Sequence, residues 1–122
     1  MVTATVIAAP MLQMLQSAGE AVLTMTADMP QSDLMRSRLT RFEVQRQLQT
    51  LADTLAALPD AVRHVMPEID WAGWRAVRLA LPTSGTPQED AIWFAVRSLV
   101  PATLSWLQVY RQSHPSLFEA WC

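Results

Sequence analysis

Residues 66–96 read MPEIDWAGWRAVRLALPTSGTPQEDAIWFAV, and the punctuation of this stretch sets the fold class. A Pro67-Glu-Ile-Asp70 turn leads into a helix over 71–81, with Asp70 as its N-cap, because a carboxylate there accepts the free N–H groups of the first turn. Pro82 stops that helix, since the residue before a proline is pushed out of the α region. Thr86-Pro87-Gln88-Glu89 reads as a capping box with proline at the first helical position, opening the last long helix. That helix is expected to bury Ile92, Val96, Leu99, Thr103, Leu107 and Tyr110, with a kink at Pro101. His114-Pro115 closes it and leaves an apolar tail of Leu117, Phe118 and Trp121.

The same helical spacing runs through the N-terminal half. From Pro10, placed at a first turn where its missing N–H costs nothing, Met11, Leu12, Leu15, Ala18, Ala21, Val22 and Met25 share one broad face. Residues 1–9 could be a frayed end or a first half-turn. The stretch 28–33 breaks the pattern, and Leu34, Met35 and Leu39 are expected in a short helical connector. Thr40-Arg-Phe-Glu43 reads as another capping box. In the helix that follows, Val44, Leu48, Leu51, Leu55 and Leu58 recur at alternating four- and three-residue steps, an apolar stripe for a partner helix, until Pro59 ends it. Residues 60–65 make one further turn. Three glycines in the chain and helix-type spacing throughout predict an all-α, up-and-down bundle of four to five helices forming a single domain over 1–122.

The composition narrows the function classes. Hydrophobic residues at 51% and charged ones at 16% exclude a disordered chain. All nine basic residues are arginine, yet the net charge is -2, which argues against a strong non-specific nucleic-acid binder. A locally basic surface stays open, because Arg36, Arg38, Arg41 and Arg46 crowd one stretch. Cys122 is the only cysteine, so no disulfide framework and no thiolate metal site can form within the chain. No Lys or Arg precedes Arg36, no basic n-region of a signal peptide is present, and no apolar run reaches the roughly twenty residues that span a bilayer. A cytoplasmic protein without a membrane segment, metal or cofactor is expected. No Gly-rich phosphate loop, paired-His metal motif or Ser/Cys nucleophile setting appears.

The order Pro-Glu-Ile-x-Trp, then Arg78 seven residues after Trp71, then a Trp93-bearing helix resembles the HepT-like HEPN family of toxin–antitoxin systems. Members carry P-E-I-P-W followed by R-N-x-x-x-H-x-Y. The turn from Arg63 to Trp71 matches well and departs where Asp70 replaces proline. Arg46 and the Ala52-Asp53-Thr54 patch stand where the family has an Arg and Gly-Glu-Ala, and Pro101 falls where members often carry a proline. The resemblance implies a homodimer, with Arg and His of two subunits meeting to support attack of an RNA 2′-hydroxyl on the adjacent phosphate. It also implies a nucleotidyltransferase antitoxin-type partner that modifies the motif tyrosine.

The reactive motif itself is broken. Leu79 stands for Asn, Thr83 for His and Gly85 for Tyr. Proton transfer at neutral pH needs a group titrating there, and a threonine hydroxyl does not. A guanidinium for the developing phosphorane charge is retained in Arg78. Gly85 has nothing to modify. The segment between Arg78 and Trp93 is one residue shorter than in the family.

Arg78 remains the candidate catalytic or phosphate-contacting residue, and Arg75, Arg78, Arg46 and Arg41 are the candidates for RNA or partner contacts. Against these, an arginine on a helix often packs its stem on a neighbouring Trp and bonds a carboxylate. His64 and His114 are expected in local structure, and Tyr110 is expected packed with its hydroxyl at the rim. Trp71, Trp74, Trp93, Trp106 and Trp121 could stack bases, although helical spacing favours packing. The favoured reading is a non-catalytic homodimeric module that binds a nucleotidyltransferase-type partner or RNA. The alternatives are a divergent ribonuclease using Arg78 with His64 as a relocated base, and a structural remnant without activity.

Overall fold

The chain folds as an all-α helical bundle, and its computed structural model describes residues 2–118, with side chains from residue 8 onward. Helix α1 (Val2–Thr26) is followed by the short α2 (Gln31–Arg36) and the long α3 (Arg38–Ala57). A single turn, α4 (Asp60–His64), precedes α5 (Trp71–Ala80), and α6 (Thr86–Phe94) runs through a π turn at Ala95–Leu99 into α7 (Val100–Ser113). A 3-10 turn at Pro115–Phe118 closes the described chain, which holds no strand.

One apolar core joins these elements. α1 packs on α3 and α7, and α5 lies between α3 and the α6–α7 rod. The predicted stripe of α3 is buried at all five positions, Val44, Leu48, Leu51, Leu55 and Leu58. So are Ile92, Val96, Leu99, Thr103, Leu107 and Tyr110 on the last rod. Trp74, fully enclosed, donates its indole N–H to the Thr103 hydroxyl across 2.9 Å, so α5 and α7 share a satisfied polar contact inside an otherwise apolar core. Gly19 lets α1 and α7 approach closely, because a Cβ there would sit 2.8 Å from Leu104.

Several local expectations shift. α1 continues through Pro10 towards the N-terminus instead of starting there. Ala8 and Ala9 are buried, and that packing offsets the hydrogen bond the proline removes. α3 begins two residues before Thr40, at a Ser37 whose carbonyl accepts from Arg41 N–H, so Thr40 and Glu43 form no capping box. Leu39 belongs to α3, not to the connector, and is 87% exposed. Thr86 is likewise the first residue of α6 rather than its cap, since Gly85 turns the chain at φ 71, ψ -152 and its carbonyl receives Glu89 N–H.

Prolines stop helices by two routes. Leu58, before Pro59, is extended, as the ring clash requires. Leu81, before Pro82, stays helical, contrary to expectation. Its carbonyl is held by the side-chain amides of Gln45 at 3.1 Å and Gln88 at 2.8 Å, and its side chain is buried. At Pro101 the irregularity takes the form of the π turn just upstream, a wider turn that accommodates the missing donor. The tail docks on its own bundle, with Leu117 buried and Phe118 packed against the core, and the 3-10 turn lies on α1 and α7. Trp121 and Cys122 lie outside the described residues.

Candidate functional site

The turn between α4 and α5 positions the site, and Met66, Glu68, Ile69, Asp70 and Trp71 are each tied into the fold. Ile69 is buried in the core. Asp70 accepts from Gly73 N–H at 2.8 Å, the expected N-cap of α5. The Trp71 indole N–H closes back on the Met66 carbonyl at 3.1 Å. Glu68 accepts the hydroxyl of the buried Tyr110, tying the turn to α7. Burial first, and then the hydrogen bond to Glu68, push the Tyr110 phenol well above its ordinary range. The hydroxyl therefore bonds a carboxylate within the protein and is no free nucleophile.

With α5 anchored in this way, its Trp71–Arg75–Arg78 face meets α3 across a cleft of about 460 Å³. Ala52, Leu55, Ala56, Ala72 and Trp74 give the cleft apolar walls, while Arg63, Trp71, Arg75 and Arg78 supply the rest. Arg63 lays its guanidinium over the Trp71 ring, 4.9 Å from the centroid, and approaches Asp60 at 3.9 Å. Arg78 Nε–H donates to Asp53 Oδ1 at 2.8 Å, both side chains being half-exposed. Arg75 has no hydrogen-bond or ion-pair partner among the described residues. The lining thus holds three guanidiniums and no carboxylate.

A second hollow adjoins the first, lined by Asp60, Arg63, His64, Pro67 and Trp71, so Arg63 and Trp71 form a shared wall. His64 belongs to this second hollow and not to the lining that contains Arg78. Its Nδ1 donates to the Asp60 carbonyl at 2.8 Å, the only role open to a ring nitrogen facing a carbonyl.

The other sequence-derived candidates fall elsewhere. Arg46 is engaged by Glu43 through both Nε and Nη2, at 2.9 and 2.6 Å. Hydrogen bonds from Arg46 and then Gln47 hold the Glu43 carboxyl down to about 2, and the same pair raises the Arg46 guanidinium. Arg41 donates to Gln88 at 2.9 Å, linking α3 to α6, and Arg36 pairs with Asp33 at 2.8 Å. The basic stretch at the start of α3 is therefore largely engaged by its own neighbours. Thr83, expected from the resemblance to stand where a motif histidine would, uses its hydroxyl to cap the Ala80 carbonyl at the end of α5. Among the described residues, the four tryptophans do not form one platform. Trp74 is buried, Trp106 stacks on Tyr110 at 5.9 Å, Trp93 receives Arg97, and Trp71 lines the cleft.

Arg63 is the site residue that sequence reasoning missed. It precedes Trp71 by eight residues, but α4 ends at His64 and α5 starts at Trp71, so no helical period carries from one to the other. Asp53 was visible only as a shortened acidic residue in the patch on α3.

Among the described residues no His, Cys, Asp and Glu side chains group so as to hold a metal ion, and no helix is long and apolar enough to cross a membrane. Compared with known proteins, the chain matches no family model, no curated protein and no solved structure.

Proposed function

We propose that the protein is a non-catalytic, HEPN-like binding module that acts as a homodimer and engages a nucleotidyltransferase-type partner or RNA through the arginine cleft. The observation that carries this reading is Arg78, aligned by Asp53 on a cleft whose lining contains no side chain titrating near neutral pH. Guanidiniums hold an anionic group, but without a proton-transfer partner they do not advance 2′-hydroxyl attack. Among the two partner classes, the pairing of Arg36 and Arg46 with their own carboxylates favours a protein surface or a single phosphate over a long RNA track. Support for self-association comes from Leu39 and Phe42, 87% and 70% exposed and three residues apart on one face of α3, and from Leu79 on α5 at 71%.

A ribonuclease reading draws on one feature, the exposed His64 in the hollow it shares with Arg63 and Trp71. It is the weaker reading because His64 lines only the second hollow and Arg78 only the first.

The test combines light scattering with titrations of labelled RNA and of a purified nucleotidyltransferase-type protein, each against wild type and Arg75→Ala/Arg78→Ala. The expected result is a dimer mass and binding to one of the two ligands that the double substitution abolishes. A monomer that binds neither would remove the proposal.

A further inference from the structure

The cleft between α3 and α5 has a second property, independent of any macromolecular partner. Its lining combines apolar side chains from α3 and α5 with the guanidinium side chains of Arg63, Arg75 and Arg78. Arg75 and Arg78 lie three residues apart on α5, neighbouring like charges that repel in the absence of an anion. Asp53 takes up only the Nε edge of Arg78. The terminal Nη pair of Arg78 has no partner among the described residues. Arg63 lies over the Trp71 ring and adds a third guanidinium to the same lining. This concentration of cation occurs in a chain whose overall charge is -2. The volume of about 460 Å³ lies within the range of small-molecule sites, roughly 300–1,000 Å³, which are mostly apolar with a few placed polar groups.

We propose that this cleft binds a compact organic anion, its carboxylate or phosphate head taken by Arg75 and Arg78 and its apolar body set on Ala56, Ala72 and Trp71. Both head groups match the fork of a guanidinium, so the chemistry they share defines the ligand class. The body supplies selectivity. An inorganic anion gains only the two guanidiniums, whereas an aromatic or aliphatic body also covers apolar wall.

Calorimetric titration of the purified protein with phenyl phosphate, benzoate and inorganic phosphate tests this, with the Trp71 indole N–H resonance as a local probe. Phenyl phosphate or benzoate should bind at least about tenfold more tightly than inorganic phosphate and should shift the Trp71 signal. Stronger binding by phenyl phosphate would identify a phosphate ester as the source of the head, and stronger binding by benzoate a carboxylate. Arg75→Ala should weaken the better probe by about tenfold or more, the value of one charged hydrogen bond. Arg75→Lys should recover part of that loss, and Arg97→Ala, on another face, should change nothing. Equal affinity for inorganic phosphate, an unmoved Trp71 resonance, or full binding by Arg75→Ala would overturn the inference. The inference stands on the cleft alone: a monomer that binds neither RNA nor protein but takes the probes through Arg75 would end the module reading and leave this one intact.

Discussion

The Nε–H of Arg78 donates to Oδ1 of Asp53 across 2.8 Å, joining α5 to α3 at the edge of the arginine cleft. The pair lies 25 residues apart in sequence and is half-exposed, so water competes for both partners. It orients the guanidinium more than it stabilises the fold. Asp53→Ala should therefore cost no more than about 1 kcal/mol in urea unfolding. A loss of several kcal/mol would show a structural tie in place of an orienting one.

The Trp74–Thr103 contact should behave in the opposite way, because it is buried. Thr103→Val keeps the shape of the side chain and leaves the indole N–H without a partner. The expected loss is about 1–3 kcal/mol, read from the urea midpoint at unchanged slope. A neutral outcome would mean that the indole finds another acceptor and that this hydrogen bond does not link α5 to α7.

Gly85 separates a backbone effect from packing. Its φ of 71 and ψ of -152 suit glycine, yet a Cβ placed there would meet nothing within 4 Å. Gly85→Ala should cost about 1–3 kcal/mol through strain alone. Full stability in calorimetric unfolding would show that the loop relaxes into another path between α5 and α6.

Tyr110 is the only tyrosine, so its titration is directly readable. Its folded-state pKa is raised above the ordinary value of 10.0, by burial first and then by the bond to Glu68. A raised pKa contributes stability that is fully present below the unfolded value and is lost as pH rises above it. Ultraviolet titration should show no phenolate in the folded protein near pH 10, with ionisation accompanying unfolding at higher pH. Reversible ionisation at the ordinary value would contradict the Tyr110–Glu68 contact. Tyr110→Phe should remove the alkaline dependence.

Much of the fold is legible in residue spacing, because burial and helical period coincide. The stripe of α3 and the inner face of α6–α7 are examples, and Asp70 caps α5 as its position predicts. The misreadings share a cause. Thr40 and Thr86 carry capping-box spacing, but Ser37 and Gly85 start those helices earlier through backbone geometry that a short motif does not encode. Leu81 keeps its helical conformation before proline because two glutamine amides from α3 and α6 converge on its carbonyl. The site shows the same division. Arg75 and Arg78 are neighbours by helical period, whereas Arg63 and Asp53 reach them only once the 66–70 turn sets α5 against α3.

Incubation of the purified protein, in excess, with mixed cellular RNA separates a binding module from a nuclease, with Arg78→Ala and His64→Ala as controls. The predicted result is intact RNA with wild type and with both variants. Cleavage by wild type that is lost in both variants would contradict the non-catalytic reading and show that His64 acts together with Arg78.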